Sequence, residues 1–248
     1  WNENENFLHF KNIVFEKKII GSGTLDLTSR KGSVELKLEK LILKSVKKNI
    51  TNHKNYIKRF INLSKIENYL GYANAGSFNK AVINLNFSFI KRLKFIDISG
   101  SSKFVNMIVK HENSFLNKIS STISGNFKFQ SFFKNNRIVD QYSWIEMNID
   151  ASKGTFDFKE PYLNYKFDQA SLKLKMNTGY LKISKATFTR KNQVDFSFKD
   201  IIIENEILKN GYFTVNNNYF FSNILKKEFN IDLLGATEFN FSLQGNLK

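Results

Sequence analysis

Between Gly154 and Ile183 the chain reads GTFDFKEPYLNYKFDQASLKLKMNTGYLKI. Its apolar residues keep falling two apart: Phe156 and Phe158, then Leu163, Tyr165 and Phe167, then Leu172, Leu174 and Met176. Successive side chains of a strand point to opposite faces, so this spacing gives each strand one apolar and one polar face. The period recurs along the chain. GTLDL turns through TSRKGS into VELKLEKL, a predicted hairpin between Leu25 and Leu41. Ile83, Leu85, Phe87 and Phe89 share one side of AVINLNFSFI. Phe95 followed by Ile96 and Ile98 marks a change of face and predicts a bulge or turn near Lys91–Arg92. Phe127 and Phe129, Val194, Phe196 and Phe198, Phe213 and Val215, and Phe239, Phe241 and Leu243 complete the series. The pattern predicts about eleven to thirteen antiparallel strands.

Glycines punctuate the alternation. Gly23, Gly125, Gly154, Gly179, Gly211 and Gly235 each precede a strand-like run, with gaps of 29, 25, 32 and 24 residues between the last five. This is a loose repeat of a strand pair plus turns, with glycine expected at the positive φ of a turn. Two segments break the period. Tyr56, Phe60, Leu63, Ile66 and Leu70 fall three and four apart and stop at Gly71, which predicts an amphipathic helix plugging one end of the sheet. A shorter helix is expected at Asn218–Phe229, whereas Phe104–Ile119 fits helix and strand equally.

The net charge is +16 among 248 residues, which favours anionic partners, although a lysine-rich solvated face is the plain reading. The lysines are spread along the chain with no basic block and interleaved aromatics, so nucleic acid is not expected as a partner. There is no cysteine. His9, His53 and His111 are solitary, so neither a metal nor any other cofactor is expected. The chain contains no GxSxG, GxxxxGK or HExxH motif. Glu204 and Glu206, two apart, read as solvent-facing residues near a strand end. No enzyme activity is expected. The chain starts at Trp1 without Met, and residues 1–248 are read as a single segment of a longer protein.

Three architectures satisfy rows of alternating strands: a sandwich, a lipid-facing barrel, or a curled sheet whose apolar face forms a groove. Runs of eight or more residues extend ~27 Å at ~3.4 Å per residue, longer than a small sandwich requires. Lys173, Lys175, Lys182, Lys185 and Lys199 would crowd a narrow barrel lumen with like charge.

The Gly-punctuated runs, above all LLGATEFNFSLQGNLK with Gly235, Phe239, Phe241, Leu243 and Gly245, resemble the AsmA-like family of the Gram-negative envelope. ISGNFKF and GTFDF repeat the first half of that unit. The chain departs from the family in being poor in Gly and rich in Lys and Asn, and the family's N-terminal membrane helix is expected outside residues 1–248. The resemblance implies a mainly β fold: one curled, taco-like antiparallel sheet with two or three short helices. It further implies a periplasmic segment of a protein anchored to the inner membrane, conducting phospholipid toward the outer membrane in outer-membrane biogenesis. The implied groove-lining residues are Ile83, Leu85, Phe87, Phe89, Phe127, Phe129, Phe156, Phe158, Leu172, Leu174, Phe196, Phe198, Phe239, Phe241 and Leu243. The alternative is a structural or adhesive envelope sandwich that binds protein partners.

Overall fold

The computed structural model describes residues 7–15, 19–52, 73–90, 93–111, 116–135, 137–139, 142–158, 165–191, 193–216, 226, 230 and 238–246. The chain runs β1 (Phe7–Phe15), β2 (Ile19–Asp26), β3 (Lys31–Ile42), α1 (Leu43–Asn52), β4 (Ala73–Ile90), β5 (Leu93–His111), β6 (Leu116–Lys134) and β7 (Arg137–Ile138). It continues with β8 (Trp144–Phe158), β9 (Tyr165–Asn177), β10 (Tyr180–Arg190), β11 (Gln193–Glu204), β12 (Ile207–Val215), β13 (Phe239–Ser242) and β14 (Gly245–Asn246). All fourteen belong to one antiparallel sheet, ordered β1-β2-β3-β4-β5-β6-β8-β9-β10-β11-β12-β13, with β7 paired to β6 and β14 to β12. The sheet does not close: β1 and β13 are its two ends.

The predicted hairpin between Leu25 and Leu41 is β2–β3, turning through residues 27–30. The expected change of face after Phe89 is the β4–β5 hairpin, in which Ile90 stands opposite Leu93. The ambiguous Phe104–Ile119 segment is strand wherever described, ending β5 and beginning β6. The predicted helix at Tyr56–Leu70 lies outside the described residues, as does Asn218–Phe229 apart from helical Lys226. The helix that is described, α1, was not anticipated; it packs Leu43, 1% exposed, against the sheet.

Strands of 18, 19 and 19 residues in β4, β5 and β6 exceed the usual five or six several-fold. They keep one apolar face over that length by inserting bulges. Asn12, Lys80, Asn106, Lys153 and Asp200 all have φ between 49 and 53°, and each coincides with a shift of pairing register. An extra residue turns the following side chain back to the face it would have left. Phe10 and Ile13, Phe78 and Ala81, Phe104 and Met107, Ala151 and Gly154, and Phe198 and Ile201 therefore share the apolar face at a spacing of three. Bulges also bend strands and increase twist, which curls a sheet. The curl is visible in ring contacts that skip a strand: Phe78 to Phe127 at 6.0 Å, Phe156 to Phe188 at 5.4 Å and Tyr165 to Phe196 at 4.8 Å. Alternate strands lie about 9.6 Å apart, so these side chains converge on a concave face.

The glycines differ from their expected role. Gly179 does occupy a turn, with φ 76° between β9 and β10. Gly23, Gly125, Gly154 and Gly211 lie inside strands, and Gly235 is outside the described residues. Five strand glycines stand directly opposite a phenylalanine: Gly23–Phe10, Gly32–Phe87, Gly100–Phe129, Gly125–Phe104 and Gly154–Phe167. In each pair the ring lies over the glycine. A Cβ would come within 2.6 Å of the ring at Gly23, 2.7 Å at Gly100 and 2.8 Å at Gly125, with still less room at Gly32 and Gly154. At Gly32 and Gly154 the glycine admits the ring, and at Gly23 and Gly125 it also leaves room for a backbone carbonyl, of Ser33 and Asn148. Gly154→Ala should cost about 2 kcal/mol by overpacking against Phe167, which is 4% exposed. Adding Phe167→Leu should restore part of that loss in denaturant unfolding. Additive losses would place the two side chains out of contact.

Candidate functional site: an apolar concave face

The pairing register gathers the predicted lining residues on one face. Ile83, Leu85 and Phe87 stand opposite Leu36, Val34 and Gly32 of β3, and Phe89 follows two positions on. Phe127 and Phe129 meet Met147 and Ile145, while Leu172 and Leu174 meet Ile149 and Met147. Phe156 stands opposite Tyr165, Phe196 opposite Phe188, and Phe198 opposite Phe213. Phe239 and Phe241 pair with Val215 and Phe213, and Leu243 donates its amide to the Gly211 carbonyl at 2.8 Å. Phe158 ends β8 opposite Leu116, and its side chain is outside the described residues.

None of the fourteen described lining side chains is buried: twelve are half-buried, and Phe89 and Phe241 are each 37% exposed. The reason is architectural. The described strands pack chiefly on their sheet neighbours; the ring contacts that skip a strand reach across the same face, and α1 packs against β3 and β4. A face covered by a second sheet would bury most of these rings. Full burial is concentrated in one half of the face, at Leu38, Ala81, Phe104, Met107, Tyr165, Phe167, Ala186 and Val215, with Ile201 the exception in the other half. Toward the turns at residues 27–30, 178–179 and 205–206, Leu85, Phe87, Met176, Leu181 and Ile203 stay half-buried. There a hollow of about 790 Å³ opens among Met176, Leu181, Ile203 and the turn residues.

The opposite face is polar. Ser171 and Thr187 hydroxyls share a hydrogen bond at 2.6 Å, and the Asn148 amide donates to Asn126 at 3.0 Å. Glu204 ends β11 and Glu206 occupies the following turn, both exposed. His9 stacks on Phe7 at 6.1 Å. Among the described residues no group of three His, Asp or Glu side chains stands close enough to hold a metal ion, and no helix is long and apolar enough to cross a membrane.

Among the described residues one carboxylate is buried on the apolar side. Thr189 pairs with Val194 and Phe188 with Phe196, leaving Asp195 as an extra residue in β11. The bulge turns its side chain inward, where it is 3% exposed. The Tyr165 hydroxyl donates to Asp195 Oδ2 at 2.8 Å, and Arg190 Nε meets the same oxygen at 3.0 Å. Burial, then the hydrogen bond to Asp195, hold the Tyr165 phenol well above the ordinary tyrosine range. Asp195 Oδ1 is buried without a hydrogen-bond partner. Sequence reading missed this group because Asp195 sits between apolar residues, at a position that period two assigns to the polar face.

The chain matches no family model, no curated protein and no solved structure.

Proposed function

We propose that this chain is a non-enzymatic, lipid-conducting segment that carries phospholipid acyl chains along the concave apolar face of its sheet. The observation that carries the reading is that none of the fourteen described lining side chains is buried, twelve being half-buried and two exposed, in a sheet with no second layer among the described residues. Each methylene moved through water is exposed at ~0.8 kcal/mol, so a tail of about sixteen carbons costs on the order of 10 kcal/mol. A continuous surface of Phe, Leu and Ile removes most of that penalty. The open edges leave a headgroup in water. Similar side chains repeated along the face hold no deep site, which favours sliding over lodging.

The setting proposed for it is the periplasm, within an AsmA-like protein anchored at the inner membrane and delivering toward the outer membrane. Its partners would be phospholipid and, through parts outside this segment, the two membranes. The sandwich reading has less support, because all described strands join one sheet. Native mass spectrometry of protein prepared without detergent should show bound phospholipid. A lipid-free, monomeric preparation that also fails to take up added phospholipid would overturn the proposal.

A further inference from the structure

We infer that the polar face of β9, β10 and β11 is an anion-binding surface that docks on a bilayer carrying anionic phosphate headgroups. The register sets Lys173 directly opposite Lys185, and Lys185 directly opposite Lys199, across three consecutive strands. Beside them Lys175 stands opposite Lys182. Neighbouring strands are about 4.8 Å apart, and like charges in direct cross-strand register destabilise a sheet. Lys173, Lys175, Lys185 and Lys199 are exposed, Lys182 is half-buried, and none has a carboxylate within ion-pair distance among the described residues. Glu146, opposite Lys175, and Asp150, opposite Ser171, are the acidic side chains that share cross-strand register with β9 on this face. Asp168 on β9 and Asp200 and Glu204 on β11 are further acidic residues of these strands, but no ion pair joins any of them to the five lysines among the described residues, and the block of lysines in direct register keeps a local positive charge that an external anion would neutralise.

The form of the patch selects the partner. It lies on the side opposite the concave apolar face, so it is convex and provides no groove for a nucleic-acid strand to follow. All five cations are lysines. A point charge on a flexible stem suits mobile headgroups, whereas planar bidentate recognition of a fixed phosphate favours arginine. The two aromatics at the patch are of the kinds that settle at membrane interfaces. Trp144 lies under the Lys175 ammonium at 4.8 Å, and Tyr212, opposite Lys199, is 50% exposed. This inference does not depend on what occupies the apolar face.

The test is flotation of the full chain with vesicles of phosphatidylglycerol and phosphatidylcholine, against vesicles of phosphatidylcholine alone. Binding should require phosphatidylglycerol and be released by salt. Each lysine near an anionic surface contributes about fivefold, so Lys173→Gln/Lys185→Gln should weaken partitioning about twenty-five-fold. Its unfolding midpoint should be unchanged or raised, because cross-strand repulsion is relieved. Lys31→Gln/Lys94→Gln removes the same charge elsewhere and should bind nearly as the parent does. Equal losses in the two variants would reduce the effect to net charge and overturn the inference. So would tighter binding of a single-stranded oligonucleotide than of the anionic vesicles at the same salt.

Discussion

Asp195→Ala should lower the unfolding free energy by about 3 kcal/mol, read from denaturant midpoints, although no ligand or partner touches this residue in the proposed function. The carboxylate is 3% exposed and accepts from the Tyr165 hydroxyl while pairing with Arg190, whose side chain is 25% exposed. Its removal leaves a guanidinium and a phenol in a low-dielectric setting without the acceptor that they share. Breaking a buried pair from one side typically costs 3–5 kcal/mol, and the lower figure applies because Arg190 keeps part of its contact with water. Tyr165→Phe removes one neutral donor and should cost only about 1 kcal/mol. Replacing both charges, as in Arg190→Met/Asp195→Leu, should recover much of the loss, since the pair's mutual attraction largely offsets its desolvation. An Asp195→Ala protein as stable as the parent would mean that the carboxylate reaches water in solution.

Asp195 also shows where sequence reading stops. The strands were legible because a half-buried strand has to alternate, and Ile83, Leu85, Phe87 and Phe89 alternate without interruption. Bulges were not legible, because an inserted residue makes two apolar side chains three apart, as they are on a helix. Phe104 and Met107 have that spacing, which is why the segment they begin fitted helix as well as strand. The polar Asn106 between them, at φ 52°, is the signal that separates the two cases. Glycine misled for a related reason. Gly23, Gly125 and Gly154 mark places where a facing ring needs the space of a side chain, and only the partner strand identifies that ring. The apolar face itself was readable in outline, since period two assigns residues to faces without knowledge of which strands pair. Its half-exposure was not, because that depends on whether another layer covers it.

That half-exposure gives the functional proposal its sharpest consequence. Leu174 sits on β9 opposite Met147 and Ile183, half-buried and well inside the sheet's width. Leu174→Asp should reduce bound phospholipid about a hundredfold, measured by native mass spectrometry or by uptake of a fluorescent phospholipid. Lost apolar contact accounts for about 2 kcal/mol of this, and a carboxylate set against an acyl chain for at least another 1 kcal/mol. The same substitution should be mild for the fold, because an unliganded half-buried position lets the carboxylate reach water. Phe241→Asp, at 37% exposure near the sheet's end, should behave likewise with a smaller effect on lipid. The two readouts discriminate between the readings. In an ordinary protein core, Leu174→Asp unfolds the chain and lipid loss merely follows; in a lipid-bearing face, the unfolding midpoint of delipidated protein holds while uptake falls. A delipidated variant that unfolds by several kcal/mol would assign Leu174 to a closed core and end the case for a conducting face.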